Sequence, residues 1–342
     1  MSMRIFLADS FPDTSRSALA DRGHDCAYEP DTTAGALAER LPGHDVLVVR
    51  STKVTAETIE AAADTLRLVI RAGSGTDTID RDAAAARGIC VCNVPGRNAP
   101  AVAELACALL LAIDRNIADA VADLRAGRWD KKRYSQARGI TGRSVGVVGL
   151  GRIGLAFAER IAAFGADVAT VARPGRDEDT LARARAIGVR FVDDLDTLAA
   201  ACDVLSLHLP ATEDTRGLVN RDLLARMRPG TILLNTARAE LVDEVALLEA
   251  MEDKGLRAGL DVFSDEPGTG TGTIDSRLAA HPNVYGTHHI GASTEQAQHA
   301  VAAEVVRIVD DFAEGTVDHC VNLDAVLRSG SLAAPLRVGD TT

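Results

Sequence analysis

The chain has 342 residues, 46% hydrophobic but only 3% aromatic, with a formal net charge of −12. That length leaves room for two cores, and the aliphatic bias suits parallel sheets covered by Ala/Leu-rich helices. The acidic balance argues against nonspecific binding to nucleic acid or to an anionic membrane; no apolar run reaches the length of a membrane span and the first residues lack a signal-peptide core, so a cytoplasmic protein is expected.

Short apolar runs at residues 4–8, 46–49, 68–70 and 89–92 predict strands, with helical patterns near 15–22, 56–63 and 81–87. Strands alternating with helices imply a parallel α/β sheet. One long Ala/Leu-rich helix is expected from Pro100 to about Leu124, followed by the basic stretch around Lys131, Lys132 and Arg133. A second α/β unit begins at Ser144, with strands predicted at 145–148, 168–172, 204–208, 232–235, 258–262 and 284–287. That rhythm fits a doubly wound sheet. Ser293 or Thr294 is a suitable N-cap for an amphipathic helix through Phe312. From Ser329 onward a Ser/Gly/Ala/Pro/Thr mixture reads as a disordered or surface-draped tail. The six cysteines (Cys26, Cys90, Cys92, Cys107, Cys202 and Cys320) are scattered, with no C-x-x-C pair and no His/Cys spacing for a metal, which reads as reduced core thiols.

Gly149, Gly151 and Gly154 join the apolar run 145–148 to a helical pattern over 155–164. Strand, G-x-G-x-x-G and helix in that order form the dinucleotide-binding fingerprint. Gly149 permits the tight turn, Gly151 lets the backbone approach a pyrophosphate, and Gly154 lets the helix pack closely on the strand. Arg152 and Ile153 lie within the turn, just ahead of the helix whose unpaired N–H groups and positive dipole end attract phosphate. Away from such a context the same glycines would mark only a tight turn.

From Val46 to about Ala297 a series of blocks follows in order: Val49-Arg-Ser-Thr-Lys-Val-Thr55, Arg71-Ala-Gly-Ser-Gly-Thr-Asp77, Asn93-Val-Pro-Gly-Arg-Asn98, Val102-Ala-Glu104, the glycine turn, Thr236-Ala-Arg238, Val242-Asp-Glu244, Leu260-Asp-Val-Phe263, Glu266-Pro267 and His289-Ile-Gly-Ala292. These resemble the D-2-hydroxyacid dehydrogenases, most of all the phosphoglycerate dehydrogenase branch in a short form without a C-terminal regulatory domain. The resemblance implies an α/β fold of two doubly wound parallel-sheet domains, a Rossmann nucleotide-binding domain (residues 99–289) inserted in a flavodoxin-like substrate domain (1–98 and 290–330), with a tail at 331–342. It also implies a ligand cleft between the domains and a homodimer in which the segment around 131–133 reaches the partner's active site.

Within that resemblance three residues carry the chemistry. Arg238 follows a predicted strand, and its guanidinium matches a carboxylate and polarises the adjacent carbonyl. The family has Gly after this Arg; here it is Ala239, whose methyl restricts the backbone. His289 is the expected acid/base, because reducing a 2-oxo acid needs a proton at the carbonyl oxygen as hydride reaches its carbon. Glu266 would accept a hydrogen bond from the other ring nitrogen and fix the tautomer. His288 stands where relatives carry Pro; as one of two neighbouring strand residues it is expected to face away and to have a structural or substrate-tuning role.

Leu209, Pro210, Thr236, Ala237, Asp261 and Gly291 are implied as further cofactor contacts. Arg50 and Asn98 are implied as substrate contacts, with the backbone of Ala72, Gly73 and Ser74 as a carboxylate cradle. No metal site is implied. The second strand of the nucleotide unit ends at Ala172, Arg173 and Arg176 with no acid to bind a ribose 2′-OH. Two arginines suit a 2′-phosphate instead, favouring NADP(H), with NAD(H) as the alternative. Arg50, Lys53, Arg97 and the 131–133 cations point to an anionic substrate, a phosphorylated or phosphonylated 2-hydroxy acid such as 3-phosphoglycerate. The alternatives are a hydroxypyruvate/glyoxylate reductase, formate or phosphite oxidation, and a nicotinamide-sensing corepressor-like scaffold.

Overall fold

The computed structural model describes residues 2–267, 271–331 and 337–339. The chain forms two compact units, one running to Asn98 and resuming at Thr294, the other from Ala99 to Ser293.

The first unit holds five strands, β1 (Arg4–Leu7), β2 (Asp25–Tyr28), β3 (Val46–Val49), β4 (Leu68–Arg71) and β5 (Cys90–Asn93), all parallel in the order β2-β1-β3-β4-β5. This is the flavodoxin-like winding, with its switch point between β1 and β3. Alternate residues feed opposite faces. Ile5, Leu7, Val46 and Val48 pack with Val305 and Val309 of the helix Glu295–Ala313, whereas Phe6, Leu47 and Val49 pack with Leu37 and Ile59 of two helices on the other side. The capping expectation is met by Thr294, whose Oγ1 accepts the Ala297 N–H at 3.1 Å.

Strand β2 had no signal in the sequence: its residues are exposed or half-buried at the sheet edge, so no apolar period marks them. The tail is not wholly draped. Arg337–Val338 pairs in parallel with Thr316–Val317, while residues 332–336 and 340–342 lie outside the described set.

The second unit carries β6 (Ser144–Val148), β7 (Asp167–Val171), β8 (Arg190–Val192), β9 (Val204–Leu207), β10 (Ile232–Asn235), β11 (Arg257–Leu260) and β12 (Val284–Gly286). Their order, β12-β11-β10-β9-β6-β7-β8, is the Rossmann winding with β12 as a seventh strand. β8 is again an edge strand, largely exposed and unmarked in the sequence. The single long helix expected from Pro100 is two, Ala99–Arg115 and Ile117–Arg125, because Asn116 adopts φ 49°. Asn tolerates this left-handed conformation better than most residues, and its Oδ1 accepts Arg257 Nη2 at 2.7 Å. No helix among the described residues is long and apolar enough to cross a membrane.

Candidate active site

The turn after β6 meets each steric demand read from its glycines. Gly149 has φ 95°, and a Cβ there would lie 2.5 Å from the His208 carbonyl oxygen. A Cβ on Gly154 would lie 1.9 Å from the Gly149 oxygen, so the helix Arg152–Ala163 can pack this closely only without one. Gly151 faces open space, and no side chain caps the helix at this residue. The first-turn amides, Arg152 and Ile153 included, are therefore available to an anion.

Two buried polar atoms at the carboxyl ends of neighbouring strands have no hydrogen-bond partner, His208 Nδ1 after β9 and Thr236 Oγ1 after β10. The other ring nitrogen of His208 lies 2.9 Å from Ser206 Oγ, and burial pushes the imidazole down to about 3. Leu209 packs against the Gly149 position, and the Pro210 carbonyl accepts Thr215 Oγ1 at 2.6 Å. A cradle that a methyl group would fill, open helix amides and orphaned polar atoms on the ligand-binding edge of a doubly wound sheet fit a dinucleotide.

At the end of β10 the buried side chain of Asn235 braces the next turn. Its Nδ2 donates to the Arg238 carbonyl at 2.8 Å and its Oδ1 accepts the Ala237 N–H at 3.0 Å. The Arg238 side chain is half-buried, with Nη1 donating to the Ala237 carbonyl at 2.7 Å. Ala239 opens the short 3-10 helix Ala239–Leu241 without positive φ, so the expected difference in this loop amounts to one regular turn that Ala can adopt.

Asp261, 1% exposed at the end of β11, anchors the segment that carries His289. Its Oδ1 accepts Thr287 Oγ1 at 2.6 Å and the Ile290 N–H at 2.8 Å, and its Oδ2 accepts the Gly291 N–H at 2.8 Å. A Cβ on Gly291 would lie 3.0 Å from that oxygen. Asp261 and the Gly291 N–H, both expected as cofactor contacts, thus bond to each other within the chain. Between these anchors His289 sits at φ 53°, in the left-handed region uncommon for non-glycine residues. β12 ends at Gly286, so His288 and His289 are turn residues and strand alternation does not separate them, contrary to the sequence argument; both are exposed.

The Glu266 carboxylate fixes the imidazole. Oε2 lies 2.8 Å from His289 Nδ1 and Oε1 accepts the Phe263 N–H at 2.8 Å. Burial of Glu266 favours its neutral form, but the hydrogen bonds from His289 and Phe263 and the charge of Arg238 outweigh burial and hold the carboxyl below its ordinary range. With Nδ1–H donating to the Glu266 carboxylate, Nε2 is the ring nitrogen that this contact leaves as an acceptor. Arg238, Glu266 and His289 therefore belong to one unit and interact within it.

After β7, Ala172 and Arg173 are exposed, while Arg176 is half-buried with its guanidinium 5.9 Å from the Phe191 ring centroid. No carboxylate occupies residues 172–176. In the first unit, Asp9 organises the loop after β3: its Oδ2 accepts the N–H groups of Arg50, Ser51 and Thr52 at 2.6, 3.1 and 3.1 Å. Sequence reasoning missed Asp9, although its place just after β1, at the switch point, was a usable signal. Of the cradle expected at Ala72, Gly73 and Ser74, the first two amides are engaged within the chain. The Ala72 N–H donates to the Val49 carbonyl, continuing the ladder as the chain leaves β4, and the Gly73 N–H donates to the Arg71 carbonyl two residues back, closing a tight turn, both at 2.7 Å. Ser74 Oγ donates to Asn98 Oδ1 at 3.2 Å, and Asn93 Nδ2 donates to the Ser74 carbonyl at 2.6 Å.

Several expected substrate cations have acidic neighbours. Arg97 pairs with buried Glu304 at 2.7 Å, and Arg133 pairs with Asp123 at 3.1 Å. Lys53 lines an open hollow of about 330 Å³ that Asp77 and Asp80 also line.

The description of the NAD-binding domain of D-isomer specific 2-hydroxyacid dehydrogenases matches residues 107–291. The D-3-phosphoglycerate dehydrogenase of Mycobacterium leprae is 42% identical over 325 residues, covering 94% of this chain but 59% of the relative, so the chain spans under two thirds of that protein's length. The hydroxypyruvate reductase of Thermotoga maritima is 45% identical over 272 residues, 79% of this chain and 85% of the relative. Among solved structures, an acyclic imino acid reductase in complex with NADPH and D-Arg is similar at a TM-score of 0.80 and 26% identity, covering 94% of this chain and 99% of that one. The glycine turn, the paired Glu266 and His289 and these likenesses agree: the chain belongs to the D-isomer specific 2-hydroxyacid dehydrogenase family.

Proposed function

We propose that the protein interconverts a D-2-hydroxy acid and its 2-oxo acid by hydride transfer with a nicotinamide dinucleotide. The observation that carries this reading is the 2.8 Å contact between His289 Nδ1 and Glu266 Oε2, which leaves Nε2 to move a proton at the substrate oxygen. The dinucleotide supplies or accepts the hydride when bound. Arg238 holds the substrate carboxylate and polarises the neighbouring carbonyl. Glu266 keeps the imidazole in one tautomer, and Asp261 and Asn235 hold the turns that carry His289 and Arg238. Ser74, Asn98 and Arg50 contribute to substrate binding from the first unit.

The dinucleotide is NADP(H). The absence of an acid at residues 172–176 and the exposed Arg173 support it, as does the NADPH-bound relative. The substrate is a phosphorylated or phosphonylated 2-hydroxy acid, in keeping with the phosphoglycerate dehydrogenase relative. A second reading, hydroxypyruvate, is favoured by the pairing of Arg97 and Arg133 with carboxylates and by the second relative's name. A homodimer is supported by Ile117, Val121 and Leu124, exposed at helical spacing on Ile117–Arg125, and by Trp129, 81% exposed.

The test is a spectrophotometric panel with both cofactors and 3-phosphohydroxypyruvate, phosphonopyruvate, hydroxypyruvate, glyoxylate and 2-oxoglutarate. His289→Ala and Arg238→Ala should abolish turnover while NAD(P)H still binds. Unchanged rates in either variant would defeat the assignment.

A further inference from the structure

Three of the six cysteines converge at the edge of the first sheet. Cys90 and Cys92, two residues apart on β5, project to one face and join the core beneath the helix Glu295–Ala313, with Cys320 packed against the same cluster. Residues 319–321 run antiparallel along β5, the terminal strand, with Cys92 directly opposite Cys320. The flanking bonds are Asn93 N–H to His319 O at 3.2 Å and Val321 N–H to Val91 O at 2.8 Å. Cys92 and Cys320 therefore form the non-hydrogen-bonded pair of the ladder, in which Cα atoms are about 4.5 Å apart and side chains approach most closely. That separation falls within the range a disulfide spans. Asn322 secures the alignment, its Oδ1 accepting the Val91 N–H at 2.8 Å and its Nδ2 donating to the Ile89 carbonyl at 3.0 Å.

We propose that Cys92 and Cys320 are a reversible thiol–disulfide site, oxidised by peroxide. Cys320 is half-buried while Cys92 is fully buried, so Cys320 meets the oxidant first. Contact with Cys320 and burial push the Cys90 and Cys92 thiols up; the more exposed Cys320, whose thiol donates to Asn322 Oδ1 at 3.2 Å, is the attacking sulfur once it has lost its proton. Its sulfur takes one oxygen of hydrogen peroxide, the O–O bond breaks, and hydroxide leaves to become water. The Cys92 sulfur then attacks the Cys320 sulfenic sulfur, an S–S bond forms, the S–O bond breaks, and the departing hydroxide takes the Cys92 proton. Two thiols are oxidised and one peroxide is reduced to two waters; a dithiol reductant reverses the change. Cys90 lies diagonal to Cys320, where the backbone separation of about 7–8 Å exceeds what a disulfide spans.

The full chain, treated with hydrogen peroxide under native conditions, is alkylated and mapped by mass spectrometry. Two of the six thiols should become unreactive, one linked peptide pair should contain Cys92 and Cys320, and dithiothreitol should restore both. Cys320→Ser should lose the link, while Cys202→Ser should keep it. Six thiols still alkylated, a link joining any other pair, or a Cys320 that proceeds to sulfinic acid without a link would each overturn the proposal. Mapping of the unmutated chain decides the matter even if Cys320→Ser does not fold. Because the readout needs no turnover, it stands apart from the dehydrogenase assignment.

Discussion

Asp261 Oδ2 accepts the backbone N–H of Gly291 at 2.8 Å, two residues past the imidazole that pairs with Glu266. One buried carboxylate thus holds the backbone just past His289, whose own φ of 53° lies in the left-handed region uncommon for non-glycine residues. Asp261→Asn puts an amide donor against backbone donors. A buried unsatisfied group of this kind costs about 1–3 kcal/mol, so denaturant unfolding should show a loss of about 2 kcal/mol. Turnover should fall at least about tenfold as the imidazole loses its aim. Wild-type stability in this variant would remove the anchoring role.

The glycine turn separates two effects that a simple motif match combines. Gly154→Ala places a methyl group 1.9 Å from a backbone oxygen, so thermal unfolding should reveal a loss of about 1–3 kcal/mol from overpacking. Gly151→Ala meets nothing within 4 Å and should leave unfolding nearly unchanged while weakening dinucleotide binding at least about tenfold. Fluorescence titration of NAD(P)H checks the second outcome, and equal destabilisation of the two variants would contradict the steric account.

His208 supplies a pH dependence with a definite sign. Burial lowers its folded value from 6.5 to about 3, so the unfolded chain binds a proton in acid that the folded chain refuses. This contribution is fully present above pH 6.5 and is lost progressively as pH falls toward 3. His208→Gln removes the titration, so its melting temperature should fall less than the wild type's between about pH 7 and about pH 4. Parallel curves would show that His208 does not couple protonation to folding.

Arg173 tests the cofactor preference with least structural disturbance, because its side chain is exposed whereas Arg176 is half-buried near Phe191. A charge-assisted hydrogen bond to phosphate contributes about 1.5–3 kcal/mol. Arg173→Ala should therefore raise KM for NADPH at least about tenfold and leave KM for NADH within about twofold. An equal change for both cofactors would remove the 2′-phosphate contact.

Much of the site could be read along the chain. The three glycines, Arg238, Glu266 and His289 sit in local blocks whose spacing states a steric or chemical requirement, and the central strands announce themselves as short runs of buried aliphatic residues. Edge strands β2 and β8 escaped because an exposed strand has no apolar period to display. The break at Asn116 escaped because a polar residue inside an Ala/Leu-rich run looks like an ordinary helix surface position.

By itself the sequence determined the alternation of strands and helices and the glycine turn, since these depend on residues close together along the chain, and its ordered blocks marked Arg238, Glu266 and His289 as the candidates for the chemistry. Only the tertiary structure decided that Asp261 supports the His289 turn, that Asp9 gathers the Arg50 loop, that the Ala72 and Gly73 amides are already engaged, and that Cys92 faces Cys320. The physical reason is that a hydrogen bond or a sulfur contact is set by which strands become neighbours. Strand order brings together residues tens to hundreds of positions apart, and no local period records it.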